Sequence, residues 1–265
     1  MNLQLTDKTA LVSASSAGIG YAIALQLARE GAKVFLNGRT QESVQAALHR
    51  ANQELPEGHF VPVVADLGTV EGVQSCLEQI PQVEILVNNL GIYWSRPFEE
   101  ISDEEWRQIF EVNLLSGVRL SRHYFPKMLA ANWGRVIFIS SESGIMIPSE
   151  MIHYGVSKSA QLSLAAGLAR LTKGTGVTVN SVLPGPTQTD NVLDFMRNLV
   201  PEMAEADPEE LGREVLRQHR PSSLLGRLIR PEEVASLVAY LASPLAAATN
   251  GAAVRVEGGL VQAIQ

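Results

Sequence analysis

The sequence predicts an α/β fold in which a doubly wound, seven-stranded parallel sheet carries helices on both faces. Three observations point there. Seven short apolar, β-branched runs recur along the 265 residues. Each run is continuous rather than alternating, the pattern of strands covered on both faces. The stretches between them are long enough for crossover helices and carry helix start and stop signals.

The runs are Thr9–Val12, Lys33–Leu36, Phe60–Val64, Glu84–Val87, Arg135–Ile139, Val177–Val182 and Ala253–Val256. After the first run, Ile19, Ile23 and Leu27 fall at i, i+4 and i+8, and Gly31 follows as a stop, which predicts a helix. Ser102 and Glu105 form an S-x-x-E capping box ahead of Trp106 and Ile109. A further helix is predicted from about Tyr154 to Thr172. The rhythm breaks once, between Thr187 and Arg230, where no strand is evident. Within that stretch Val192, Leu193, Met196, Leu199, Val200 and Met203 recur at three- and four-residue steps, the signature of an amphipathic helix. No linker or repeat divides the chain, so residues 1–265 are expected to form a single domain, with a substrate lid at about 187–226.

Composition narrows the function. With 46% hydrophobic and 18% charged residues the chain has enough apolar surface to fold alone. A formal charge of −7 argues against a nucleic-acid partner. No apolar run is long enough to cross a bilayer and the start lacks a signal-peptide pattern, so no membrane partner and a cytoplasmic location are expected. One cysteine, Cys76, rules out a disulfide framework. No histidine pair or carboxylate cluster has metal-ligand spacing, and no catalytic metal is expected.

Two local patterns carry chemistry. "SASSAGIG", Ser13 to Gly20, lies between the first strand and the first helix. There, backbone N–H groups and the positive helix end meet a pyrophosphate in dinucleotide-binding folds. Ala14 stands where such a loop carries glycine, tolerable at negative φ and unfavourable at positive φ. Further along, Tyr154 and Lys158 are four apart and so share a helix face. A phenol becomes useful at neutral pH when a nearby cation stabilises the phenolate, and Lys158 is expected to lower the Tyr154 pKa. Tyr154 would then exchange a proton with a carbonyl or alcohol oxygen held by Ser141.

Together these patterns resemble the short-chain dehydrogenase/reductase family over almost the whole chain, particularly its 3-oxoacyl thioester reductases. "SASSAGIG" resembles the family's T-G-x-x-x-G-I-G loop. "ADL" at Ala65–Leu67, "NNLG" at Asn88–Gly91, "VNLLSG" around Asn113, "PGPTQT" at Pro184–Thr189 and the late "VEGG" follow in the family's order. The thirteen-residue interval from Ser141 to Tyr154 matches as well and favours Ser141 over Ser140. The resemblance implies a Rossmann-like fold and hydride transfer between a nicotinamide cofactor and a carbonyl or hydroxyl group of a small molecule.

It implies Asn113, Ser141, Tyr154 and Lys158 as the catalytic set, with Asn113 positioning a water on the proton path to Lys158. As cofactor contacts it implies Ser13, Ser15, Ser16, Gly18, Ile19, Gly20, Asp66, Leu67, Asn88, Asn89, Gly91, Pro184, Gly185, Thr187 and Thr189, together with Tyr154 and Lys158. A homo-oligomer, a tetramer in most relatives, is implied by resemblance alone. Leu90 replaces the alanine of N-N-A-G, and either narrows the nicotinamide end or packs against a shifted loop.

After the second strand, Asn37-Gly38 stands where a ribose-binding carboxylate would fall, and Arg39 follows. This favours NADP(H) over NAD(H), because an arginine attracts the 2′-phosphate that a carboxylate repels. Ala17 is the counterweight, since NADP-binding relatives place a second basic residue there. The lid, with Ile92, Tyr93, Trp94, Ile145, Met146 and Ile147 as further walls, would give the substrate site an apolar side. An NAD-dependent polyol dehydrogenase and a dinucleotide-binding sensor without turnover are the alternatives.

Overall fold

The structure is a computed structural model and describes residues 2–264. Seven parallel strands form one sheet: β1 (Thr9–Val12), β2 (Lys33–Gly38), β3 (His59–Val64), β4 (Ile85–Asn88), β5 (Gly134–Ile139), β6 (Val177–Pro184) and β7 (Ala253–Val256). Their spatial order is β3-β2-β1-β4-β5-β6-β7. The sheet winds outward in both directions from the β1–β4 pair, where Ala10, Leu11 and Val12 sit opposite Ile85, Leu86 and Val87. The seven runs picked out by β-branched composition are these strands, displaced by a few residues at most.

Helices cover both faces because strand side chains alternate. Ala10 and Val12 of β1 enter one core, and Leu11 between them enters the other. The first core is closed by α1 (Gly18–Arg29), α2 (Gln41–Glu54) and, later in the chain, α9 (Pro231–Ala242). Ile23 and Leu27 of α1 are fully buried there, as their spacing predicts. The second core lies under α3 (Val70–Gln79), α5 (Ser116–Ala130) and α6 (Ile152–Arg170). Ahead of α5, α4 (Asp103–Phe110) starts on the predicted Ser102–Glu105 capping box and runs into a π-type turn, Glu111–Leu115, that carries Asn113. The helix predicted from Tyr154 begins two residues earlier and ends at Arg170, so Tyr154 stands in its first turn.

The segment without strands holds two helices rather than one, α7 (Asp190–Leu199) and α8 (Pro208–His219). Pro201 and Pro208 end the first and start the second, in keeping with a ring that lacks an N–H and fixes φ. The two helices share a third small core of Leu193, Met196, Val200, Leu211, Val215, Leu216 and Leu228. That core is why the apolar repeat of α7 exists. Among the described residues no helix is long and apolar enough to cross a membrane.

Candidate active site

A cavity of about 850 Å³ opens where the strand order reverses, above the carboxyl ends of β1 and β4. Its floor is the loop before α1. Gly18 adopts φ +56°, and a Cβ on Gly20 would lie 2.4 Å from the Ala14 carbonyl oxygen, so this close turn excludes side chains there. Ala14 itself is left-handed at φ +51°, the geometry in which alanine is strained. Two side chains hold it: Asn37 Oδ1 accepts from its N–H at 2.9 Å, and Asn89 Nδ2 donates to its carbonyl at 3.1 Å. The α1 N-terminus has no side-chain cap, so its first N–H groups stay free of side-chain partners beside the cavity. A glycine cradle at an uncapped helix start fits a dinucleotide pyrophosphate.

Of the residues expected to touch a cofactor, Ser16, Gly18, Ile19, Gly20, Arg39, Asp66, Leu67, Asn89, Gly91, Pro184, Gly185, Thr187 and Thr189 line the cavity. Ser13, Ser15 and Asn88 do not. Ser13 Oγ accepts from the Asn89 and Leu90 N–H groups at 2.8 and 3.0 Å, joining the loop to the end of β4. Ser15 Oγ donates to the Val12 carbonyl and accepts from the Asn37 N–H. Asn88 Nδ2 donates to Ser121 Oγ at 3.3 Å. All three are buried and hold the loop from behind. Leu90 packs on the second core and also lines the cavity.

Arg39 is exposed at one end of the cavity, beside Ser16, Thr40 and Ser43, and pairs with no carboxylate among the described residues. A second cation, unexpected from the loop sequence, stands behind this end on α2, outside the cavity lining and paired with Glu54 at 3.9 Å. Arg50 stacks 3.7 Å from the Tyr21 ring centroid and donates to the Ser16 carbonyl at 3.3 Å.

At the other end Ser141, Tyr154 and Lys158 line one wall. Ser141 caps a short turn, accepting from the Ser143 N–H at 3.1 Å. Ser140 Oγ instead donates to the Lys158 carbonyl and is committed to α6. Lys158 is buried, and its Nζ donates to the Ile139 carbonyl at 2.9 Å and to Gln161 Oε1 at 3.4 Å. Burial pulls its pKa down to about 8, with the Glu142 carboxylate opposing. Gly91 faces it, where a Cβ would come within 3.3 Å of Nζ.

Here one expectation is corrected. The Tyr154 pKa is raised rather than lowered, because burial disfavours the phenolate and the Glu142 carboxylate adds to that, against a smaller opposing effect of the Ser141 hydroxyl. The Lys158 Nζ stands 5.6 Å from the centre of the Tyr154 ring and does not offset that desolvation. A raised pKa keeps the phenol protonated, the form that donates.

Asn113 is buried behind this wall, outside the cavity. Its side chain exchanges two hydrogen bonds with the backbone of Ile92, at 2.7 and 3.0 Å, and donates to Ser157 Oγ at 3.0 Å. Its carbonyl accepts from Gln161 Nε2 at 2.5 Å. Gln161 was not expected from the sequence. It bridges Lys158 to Asn113, and its signal was available, since a polar residue three after Lys158 shares the lysine's helix face.

Glu142 was missed too. It sits directly after Ser141, is 5% exposed, and its Oε2 accepts from Ser141 Oγ at 2.5 Å. Burial pushes its pKa up, while the Ser141 hydroxyl and the Arg220 guanidinium pull it down. Its signal was a charged residue set among serines at the end of an apolar strand.

The remaining walls divide. Ile92 and Tyr93 line the cavity, and Tyr93 makes edge contacts with Tyr154 and with Phe195 of α7, at ring-centroid distances of 5.8 and 5.5 Å. Trp94, Ile145, Met146 and Ile147 lie outside it. Trp94 turns instead to the buried His153, 4.6 Å between ring centroids. The three residues of the 145–147 run are exposed. Val192, Met196 and Leu199 reach the cavity from α7.

Residues 8–198, most of the chain and including the glycine loop, Ser141, Tyr154 and Lys158, match the family model described as short chain dehydrogenase. The chain belongs to that family. It is an oxidoreductase of the short-chain type, acting on CH–OH and C=O groups. It is 46% identical to an uncharacterized oxidoreductase, YvaG, of Bacillus subtilis (strain 168), over 264 residues that span 100% of both chains. Identity to the 3-oxoacyl-[acyl-carrier-protein] reductase FabG of Pseudomonas aeruginosa is 35% over 262 residues, 97% of this chain and 99% of the relative. The crystal structure of L-sorbose reductase from Gluconobacter frateurii, complexed with NADPH and L-sorbose, superposes with a TM-score of 0.91 at 28% identity, covering 100% of both chains.

Proposed function

We propose that this short-chain dehydrogenase interconverts a ketone and a secondary alcohol with NADP(H) as hydride carrier and Tyr154 as the general acid/base. The observation that carries the reading is the wall formed by Ser141, Tyr154 and Lys158 facing the glycine cradle across one cavity. NADPH, bound along that cradle, supplies the hydride.

The chain's own residues do the rest. The substrate oxygen lies between the Ser141 and Tyr154 hydroxyls. As the carbonyl carbon is reduced, the C=O π pair moves onto oxygen and the Tyr154 O–H donates its proton there. The raised phenol pKa suits this direction, because the acid is already protonated across the neutral range. Lys158, protonated below about 8, places a positive charge on the same wall and is held there by the Ile139 carbonyl and by Gln161, which in turn donates to the Asn113 carbonyl. Asn113 thus serves by holding Ile92, Ser157 and Gln161 in place.

Arg39 at the adenosine end, with no carboxylate at Asn37-Gly38, supports NADP(H) over NAD(H). The helices α7 and α8, with Tyr93 between Tyr154 and Phe195, support a lid over residues 187–226 of a single domain. The 3-oxoacyl-[acyl-carrier-protein] of the Pseudomonas aeruginosa reductase and the L-sorbose of the Gluconobacter frateurii reductase are both ketones, and the ketone is what carries over to this chain. A screen of ketones and thioesters, following the absorbance of each reduced coenzyme, tests the reading. Oxidation of NADPH well ahead of NADH with at least one ketone is expected. No oxidation of either coenzyme with any carbonyl would overturn it.

A further inference from the structure

The reactive wall carries a carboxylate that proton transfer does not require. Glu142 lines the cavity, and its Oε2 accepts the Ser141 hydroxyl at 2.5 Å. Its Oε1 accepts from Ser143 Oγ at 3.2 Å and lies 3.9 Å from Arg220 Nε, while Arg220 pairs at 3.3 Å with Glu150. One guanidinium therefore faces two carboxylates, and each Glu142 oxygen depends on a single serine hydroxyl donor.

A serine hydroxyl has one proton to donate. In this arrangement Ser141 gives it to Glu142, yet holding a ketone oxygen requires the same proton. Redirecting it toward substrate strips a buried carboxylate oxygen of its shortest hydrogen bond, which is unfavourable. A hydroxyl on the carbon next to the carbonyl removes the conflict. As Ser141 turns to the carbonyl oxygen, the neighbouring substrate O–H takes its place on Glu142 Oε2.

We propose that Glu142 is a specificity-determining residue that selects α-hydroxy ketones for reduction, and vicinal diols in the reverse direction. The inference rests on the reductase reading of the site. In the step it serves, Tyr154 supplies a proton to the carbonyl oxygen as the π pair moves there, and the carbonyl carbon takes the hydride that a reduced nicotinamide coenzyme would supply. Glu142 exchanges one hydrogen bond and changes no covalent bond. A 3-oxoacyl thioester has a CH₂ beside its ketone and offers no such donor. An anionic substrate meets Glu142 and Glu150 against the single charge of Arg220.

Hydroxyacetone and methoxyacetone separate the donor from inductive activation, because both carry oxygen next to the carbonyl and only one carries O–H. With saturating NADPH, wild type is expected to show a kcat/KM for hydroxyacetone about tenfold or more above that for methoxyacetone. Glu142→Leu brings the ratio to about one. Glu142→Gln, nearly isosteric and the safeguard should the leucine variant not fold, lowers the ratio roughly threefold or more. A carboxylate with a purely structural role would slow both substrates alike. An unchanged ratio in a folded variant, or a wild type that does not discriminate, overturns the inference alone. Absence of NADPH oxidation with any ketone overturns the reductase reading, and this inference with it.

Discussion

Lys158 is held in the fold at the expense of stability, and replacing it with methionine exposes by how much. Burial takes its pKa from the ordinary lysine value of 10.5 to about 8. The displacement corresponds to about 3 kcal/mol of differential interaction between the charged and neutral forms. Well below pH 8 the ammonium is charged in both states, and the folded state bears that penalty. Between about 8 and 10.5 the unfolded chain binds a proton that the folded chain has released, so wild-type stability rises with pH. Above 10.5 the amine is neutral in both states and the penalty is gone. Lys158→Met, of similar length and without charge, removes this dependence while other titrating groups remain common to both proteins.

Urea unfolding of wild type and variant, read by fluorescence of the three tryptophans at one protein concentration, gives the difference at each pH. The difference should move by about 3 kcal/mol in favour of wild type as pH rises from neutral to above the lysine's unfolded pKa. A constant difference across that range, or movement the other way, would refute the argument that Lys158 is strongly desolvated.

Three further outcomes are expected. Ala14→Gly relieves a left-handed alanine worth about 1–2 kcal/mol against about 0.4–1 kcal/mol of added chain entropy. It should therefore raise the melting temperature by roughly 1–3 °C, with a decrease counting against the strain. Arg39→Asp should raise the KM for NADPH about tenfold or more while changing that for NADH little, in steady-state assays. Gln161→Leu breaks the bridge from Lys158 to Asn113 and should lower kcat roughly tenfold with the KM for NADPH nearly unchanged, whereas unaltered kcat would mean that Gln161 does not position Lys158.

The sheet was legible because its signal is local and redundant. Seven continuous β-branched runs and the caps between them mark burial on both faces, and a shift of one or two residues at a strand end alters nothing. Tyr154, Lys158 and the glycine loop were legible because spacing along a helix or across a turn fixes their geometry. What escaped the sequence depends on tertiary burial. Ser13, Ser15 and Asn88 belong to the expected motifs, but whether a side chain faces the cavity or braces the loop from behind is decided by neighbours far along the chain, such as Asn37, Asn89 and Ser121. The sign of the Tyr154 shift turns on desolvation and on Glu142, neither visible in a four-residue spacing. The apolar run at residues 145–147 has the composition of a pocket wall, yet the turn that carries it faces outward. The helical period of α7 was read correctly, whereas its partner α8 and their shared core require knowledge of which distant apolar residues meet.

The most direct measurement of the central claim compares wild type with Tyr154→Phe, following NADPH oxidation with the best ketone of the screen and, in parallel, NADPH binding by fluorescence titration. If the phenol donates the proton, turnover falls by roughly 10²–10⁴-fold while the affinity for NADPH changes little. Turnover within a few-fold of wild type, with the coenzyme bound equally well, would contradict the account.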